Sequence, residues 1–360
     1  MPPPREFSPR ATLISALVVG GLIAWTYIRP APELISANPD FATDTMGGIP
    51  VLVRLAHVQT SASENTQIFA AITNETERGN QHFSTYLPDS EISRINAAPA
   101  GTPIDLSPLF LEVYQRAAYW HRETGGAFDP AMAPLLRAYG FGAGAQTNTS
   151  PAALTAAREA SGLRHFSLNA QNQLVKARAD AELDFGGIAK GLAVDRVLNR
   201  IRSFSFHNAM VEIGGEVRAM GRTPVHTPWR IAVERPDPNN TTAEFADGVR
   251  PINLSNASLA GSGSYRNFRI DASGQPITHI IDPRTGSPAT HRVVAVTVHA
   301  THCVDADALA TALFVLGEKD GLAWVENRPG VEAIFITRDA TGFTNHRSSG
   351  FAALEAPPAK

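Results

Sequence analysis

The chain has 360 residues, 43% hydrophobic and 18% charged, with a formal net charge of −3. Such a chain can bury a sizeable core, and its charge argues against an electrostatic nucleic-acid binder, which is usually basic. The single cysteine, Cys303, excludes an internal disulfide framework and a cysteine-rich metal centre.

Ala11–Ile28 carries no charged residue, follows Arg5 and Arg10, and is succeeded by Pro30 and Pro32. Its length sits at the lower limit for a bilayer-spanning helix, with Trp25 and Tyr27 placed as interfacial aromatics. Residues 1–30 are therefore expected to form a retained signal or transmembrane anchor. It would hold an extracytoplasmic body on the periplasmic side of an inner membrane. Residues 31–44 read as a linker, 45–348 as one body, and 349–360, rich in Ala and Pro, as a disordered tail.

Within the body, Val51–Val58 alternates like a strand and Glu64–Thr76 reads as a helix. Phe83–Asn96 is an extended run that turns at Pro88-Asp89 into a capped helix start. Ser107–Glu123 is an amphipathic helix with Phe110, Val113, Tyr114, Ala117 and Trp120 on its inner face. It leads into the glycine-opened loop Thr124–Pro130. Tyr139–Ser150 reads as a loop, and Pro151–Ser161 as a helix stopped by Gly162. Ala181–Asp184 is expected to end a strand, Gly186-Gly187 to turn, and Ile188–Ile201 to run as a helix. Ala209–Ile213, Trp229–Val233, His279–Asp282, Val293–His299 and Val331–Thr337 read as strands, and Ser258–Arg266 as a small-residue turn between strands. Asp305–Leu316 is a strong helix closed by Gly317, and Gly321–Glu326 a second one. These elements predict a mixed α/β body with mixed sheets flanked by helices.

The chemistry concentrates where glycines mark element ends. A strand, a glycine turn and a helix start at Asp184–Lys190 present free N–H groups and a positive dipole end to an anion, with Lys190 as an added point charge. The stretch matches neither Gly-x-x-x-x-Gly-Lys-Ser/Thr nor Gly-x-Gly-x-x-Gly. A plain corner with a surface lysine is the competing reading. Asp307 and Thr311 are four apart on a helix and share a face, an oxygen pair suited to a hard cation such as Mg²⁺. Asp305 and Asp307 can equally serve the helix dipole alone. His279 can donate to a phosphate or take a proton, and Phe128 and Tyr86 can stack on a flat ring. Each of these residue types is also common in purely structural roles.

Seven ordered segments carry a closer likeness. They are Ser84-Thr-Tyr-x-Pro-x-Ser-x-Ile-Ser-Arg-x-Asn96, Gly126-Ala-Phe-Asp-Pro130, Asp184-x-Gly-Gly-Ile-Ala-Lys-Gly191, Gly214-Gly215, Ser262-Gly-x-Tyr-Arg266, His279-x-Ile-Asp-Pro-x-Thr-Gly286 and Ala306-Asp-Ala-Leu-Ala-Thr-Ala312. Together they resemble the ApbE family of FAD:protein FMN transferases over about residues 45–345. The resemblance implies FAD contacts at Met46, Tyr86, Ala127, Phe128, Asp129, Asp184, Lys190 and Ile281. It implies Mg²⁺ on Asp307, Thr311 and the Gly187 carbonyl, and His279 beside the diphosphate. The implied reaction moves FMN from FAD to a threonine or serine hydroxyl of a partner redox protein and releases AMP. An FAD pyrophosphatase and a non-catalytic flavin-binding assembly factor are the alternatives. Two departures stand out. Many members begin with a lipoprotein cysteine, absent here, and the family's Thr-Met-Gly-Thr reads Thr45-Met-Gly-Gly48.

Overall fold

Alternating apolar positions and tight glycine hairpins build one eight-stranded sheet whose spatial order follows chain order. Its strands are β1 (Asp40–Met46), β2 (Ile49–Leu55), β3 (Ala209–Ile213), β4 (Glu216–Met220), β5 (Ala257–Gly263), β6 (Val293–Ala300), β7 (Glu332–Asp339) and β8 (Gly342–Arg347). The computed structural model describes residues 35–145, 147–237, 244–265, 267–270, 274 and 276–357. The expected anchor over residues 1–30 lies outside them. Among the described residues, no helix is long and apolar enough to cross a membrane.

Every pairing in the sheet is antiparallel, which corrects the expectation of mixed sheets. The long connections return the chain to the end of the sheet that it left. Between β6 and β7 the reversal is visible in one helix, α7 (Cys303–Val325), which breaks at Gly317 with φ 78°. A Cβ on Gly317 would lie 3.4 Å from His291, just ahead of β6, whereas one on Gly321 would lie 2.6 Å from Phe335 in β7. The chain thus runs out along β6 and comes back to start β7.

The other helices are α1 (Ala62–Phe83), α2 (Glu91–Ala97), α3 (Pro108–Glu123), α4 (Ala133–Ala138), α5 (Pro151–Ala160) and α6 (Ala189–Ser203), all inserted between β2 and β3. On one face of the sheet, Val51, Val53 and Leu55 pack with Ile68 and Ile72 of α1 and with Val194, Val197 and Leu198 of α6. Farther along that face, Val296 and Val298 pack with the alanine-rich α7 and with Phe110 and Val113 of α3. The opposite face buries Met210, Val217, Leu259 and Ile334 beneath Trp229, Ile252 and Phe351.

Four further stretches differ from expectation. Ala181–Asp184 is not a strand, because its backbone is held by other groups. The Asn96 amide brackets Leu183, accepting from its N–H at 2.8 Å and donating to its carbonyl at 2.9 Å, and the Asp184 N–H donates to the Pro130 carbonyl at 2.7 Å. Part of the expected linker is β1, which fills the sheet edge beside β2. Part of the expected tail is tied down: Phe351 is fully buried, and Glu355 pairs with Arg250 and Arg347. Within Ser258–Arg266, expected as a small-residue turn, residues up to Gly263 belong to the central strand β5, with Ala260 and Ser262 on the α7 side.

Candidate active site

The Gly47-Gly48 and Gly214-Gly215 hairpins, the end of β5 at Gly263 and the start of β6 all fall at one end of the sheet by the strand register. Helix α6 begins at the same end, preceded by Gly186-Gly187. Small residues let the layers close up. A Cβ on Gly191 would lie 2.3 Å from the Cys303 carbonyl oxygen, so only glycine admits α7 this close to α6.

That approach gathers the predicted residues of three motifs. The Gly191 N–H donates to Asp307 Oδ2 at 2.9 Å, and Lys190 Nζ lies 3.7 Å from Asp307 Oδ1. A Cβ on Gly187 would lie 3.0 Å from Thr311 Oγ1 and 3.4 Å from the Phe128 ring. Thr311 Oγ1 also lies 3.2 Å from Ser262 Oγ of β5. Asp184 turns back on the glycine corner and accepts from the Gly186 N–H at 2.7 Å. Its carboxyl is raised above the usual carboxylate range by burial. A carboxylate, hydroxyls and glycine backbone therefore share one corner, a donor set that fits a hard divalent cation. Among the described residues, no group of three His, Cys, Asp or Glu side chains gathers to hold a metal.

An open cleft of about 390 Å³ leads away from Asp184, lined by Thr85, Asn96, Arg137, Phe141 and Glu182 among others. Arg137 and Glu182 form a forked ion pair in its wall, with Nη2 to Oε1 at 2.6 Å. His279 stands edge-on to Phe141, ring centroids 6.2 Å apart. Its Nδ1 lies 2.9 Å from the Asn267 carbonyl, which can only accept, so Nδ1 carries the proton and Nε2 keeps its lone pair. Burial lowers the His279 pKa below its ordinary value, and the Lys190 charge adds to this against the Asn267 bond.

Other predicted contacts sit differently. Tyr86 is 73% exposed, next to the cleft residue Thr85. Met46 is buried, with its methyl group beside Gly79 near the end of α1. Ile281 is buried with Met132, Leu135 and Phe141 behind the cleft. Ala127 is buried in the core, and the Asp129 carboxylate accepts from the Ala131 and Leu163 N–H groups at 2.8 and 3.0 Å. Asp129 thus fastens its own loop, although Phe128 beside it reaches Gly187.

Sequence reasoning missed Glu216. It is 2% exposed, with Oε1 3.3 Å from Lys190 Nζ. Burial pushes its carboxyl up to about 8, against the pull of Lys190. For Lys190, burial acts downward but is outweighed by Asp307 and Glu216, which hold the ammonium above the usual lysine range. The available signal was Glu216 and Arg218 two apart in an otherwise apolar strand, hence on one face. Arg218 meets Asp195 of α6 at 2.7 Å, and Asp195 accepts from the Cys303 and Val304 N–H groups at the start of α7.

The ApbE family profile matches residues 48–335. A Vibrio cholerae protein named FAD:protein FMN transferase is 37% identical over 277 residues, covering 76% of this chain and 80% of that one. A Haemophilus influenzae protein of the same name is 36% identical over 282 residues, covering 76% and 80%. The crystal structure of Pseudomonas stutzeri flavinyl transferase ApbE, in its apo form, superposes with a TM-score of 0.77 at 32% identity, covering 91% of this chain and 99% of that one. The shared profile, sequence identity and fold establish that this chain belongs to the ApbE family.

Proposed function

We propose that this chain is an FAD:protein FMN transferase that uses Mg²⁺ and modifies a threonine or serine hydroxyl of a partner redox protein. The observation that carries this reading is the corner where Gly187 meets Thr311 and Gly191 meets Asp307, with Lys190 alongside. Asp307, Thr311 and the Gly187 backbone would hold the cation. Bound Mg²⁺ would supply charge neutralisation at the diphosphate of FAD.

The chain's own residues account for the rest. The cleft beside Asp184 takes the flavin end, and Lys190 and the start of α6 face the diphosphate as fixed positive charge. The acceptor hydroxyl oxygen bonds to the FMN phosphorus, the diphosphate P–O bond breaks, and AMP leaves with the bridging oxygen. The hydroxyl proton passes to His279, whose Nε2 is open while Nδ1–H is tied to Asn267. Anchoring at the periplasmic face of an inner membrane is proposed from Ala11–Ile28 alone.

The test is intact-mass measurement of a threonine-bearing acceptor subunit after incubation with the full chain, FAD and Mg²⁺. Acceptor mass rising by one FMN, with AMP released, is the expected result. Free FMN and AMP with unmodified acceptor would make the protein a hydrolase, and unchanged FAD would make it a binder.

A further inference from the structure

We infer that Glu216 is a positioning residue that aims Lys190 at the diphosphate site, an inference that rests on the reading of Lys190 as an FAD contact. The Lys190 ammonium lies among three oxygens: Glu216 Oε1 at 3.3 Å, Asp307 Oδ1 at 3.7 Å and the Gly186 carbonyl at 3.4 Å. Asp307 belongs to the cation set as well, and Gly186 is a neutral backbone acceptor. Glu216 is the carboxyl in this group that serves the lysine alone.

The strand start is built for this contact. Gly214 and Gly215 adopt φ 58° and 97°, a turn that sets Glu216 at the first position of β4. A Cβ on Gly214 would meet Ile49 at 2.7 Å and stand 3.6 Å from Lys190 Cδ, so the lysine stem runs alongside the turn. The second carboxyl oxygen, Oε2, is buried without a hydrogen-bond partner. An arrangement selected for stability alone would favour an apolar side chain here, since a buried, half-satisfied carboxyl is costly. Among the described residues, the one side chain that Glu216 meets in an ion pair is Lys190, at 3.3 Å. That contact needs only an acceptor oxygen, so a glutamine can reproduce it.

The experiment is a fluorescence titration of FAD, at fixed Mg²⁺, into the full chain and its K190A, E216A, E216Q and K190A/E216A variants, each checked for a native melting transition. K190A is expected to weaken FAD binding by about tenfold, and E216A by roughly three- to tenfold. E216Q should regain most of the loss, and the double variant should bind no worse than K190A. A wild-type affinity for E216A, no recovery in E216Q, or multiplying losses in the double variant would overturn the inference. A wild-type affinity for K190A would instead overturn the assignment of Lys190 to FAD. Should E216A fail to fold, Glu216→Met, which keeps the bulk without the acceptor, replaces it under the same criteria.

Discussion

Gly187 approaches Thr311 so closely that a single added methyl group would stand 3.0 Å from the threonine hydroxyl. The same methyl would lie 3.4 Å from Phe128, so neither side offers easy relief. Gly187→Ala should therefore shift the corner by a few tenths of an ångström without unfolding the chain. The Mg²⁺ concentration for half-maximal activity is expected to rise about tenfold. An unchanged Mg²⁺ requirement would separate Gly187 from the cation.

Asn96 performs the job of a neighbouring strand for Leu183, with bonds of 2.8 and 2.9 Å to its backbone. Replacing it by alanine leaves both groups without protein partners, at a cost of about 1–3 kcal/mol. Asp184 follows directly, so FAD affinity should fall together with the urea midpoint. Full FAD affinity in Asn96→Ala would show that the clamp serves the fold only.

Asp195 ties three elements together, accepting from Arg218 and from the first N–H groups of α7. Both partners of the ion pair are at least nine-tenths buried, Asp195 at 6% and Arg218 at 9% exposure. Asp195→Ala strands the arginine and uncaps the helix, and the expected loss is about 3–5 kcal/mol in urea unfolding. A loss below about 1 kcal/mol, the scale of an exposed pair, would contradict this placement.

His279 has a lowered pKa, so its neutral form prevails at pH 7 and acid removes the free Nε2 acceptor. Transfer activity should be level near neutrality and decline on acidification, with a midpoint below the ordinary histidine value of about 6.5. His279→Gln should cost roughly 10²–10⁴ in kcat and remove that acid limb. A Gln variant with the wild-type rate and acid limb would exclude His279 as the proton acceptor.

Much of this was legible in the residues, and the exceptions share a cause. Helices α3, α5 and α6 follow from caps and periodicity, with Ser107 and Ser150 capping the first two. Asp307, Thr311, Gly187 and Lys190 converge as the motifs suggested. Ala181–Asp184 was misread because its apolar residues are compatible with a strand, while what satisfies its backbone is a side chain 87 positions away. Ala257–Gly263 carries little β-propensity by composition; it is a strand because a close-packed helix lies over it. The surroundings of Met46, Ile281 and Asp129 were not legible in the motifs: the first two side chains lie in apolar clusters and the third fastens its own loop. Glu216 escaped notice because a lone acid after two glycines reads as an ordinary turn until its lysine is in view.

The central claim is that Asp307 holds a cation on which FAD binding depends. It is tested most directly by measuring FAD dissociation constants with and without Mg²⁺ for the native chain and Asp307→Asn. Asparagine retains an oxygen for the Gly191 N–H, so the fold is preserved while the charge is lost. The native chain should bind FAD at least about tenfold more tightly with Mg²⁺, and the variant should show no such gain. A variant that keeps the full Mg²⁺ enhancement would place the cation elsewhere and contradict the site described above.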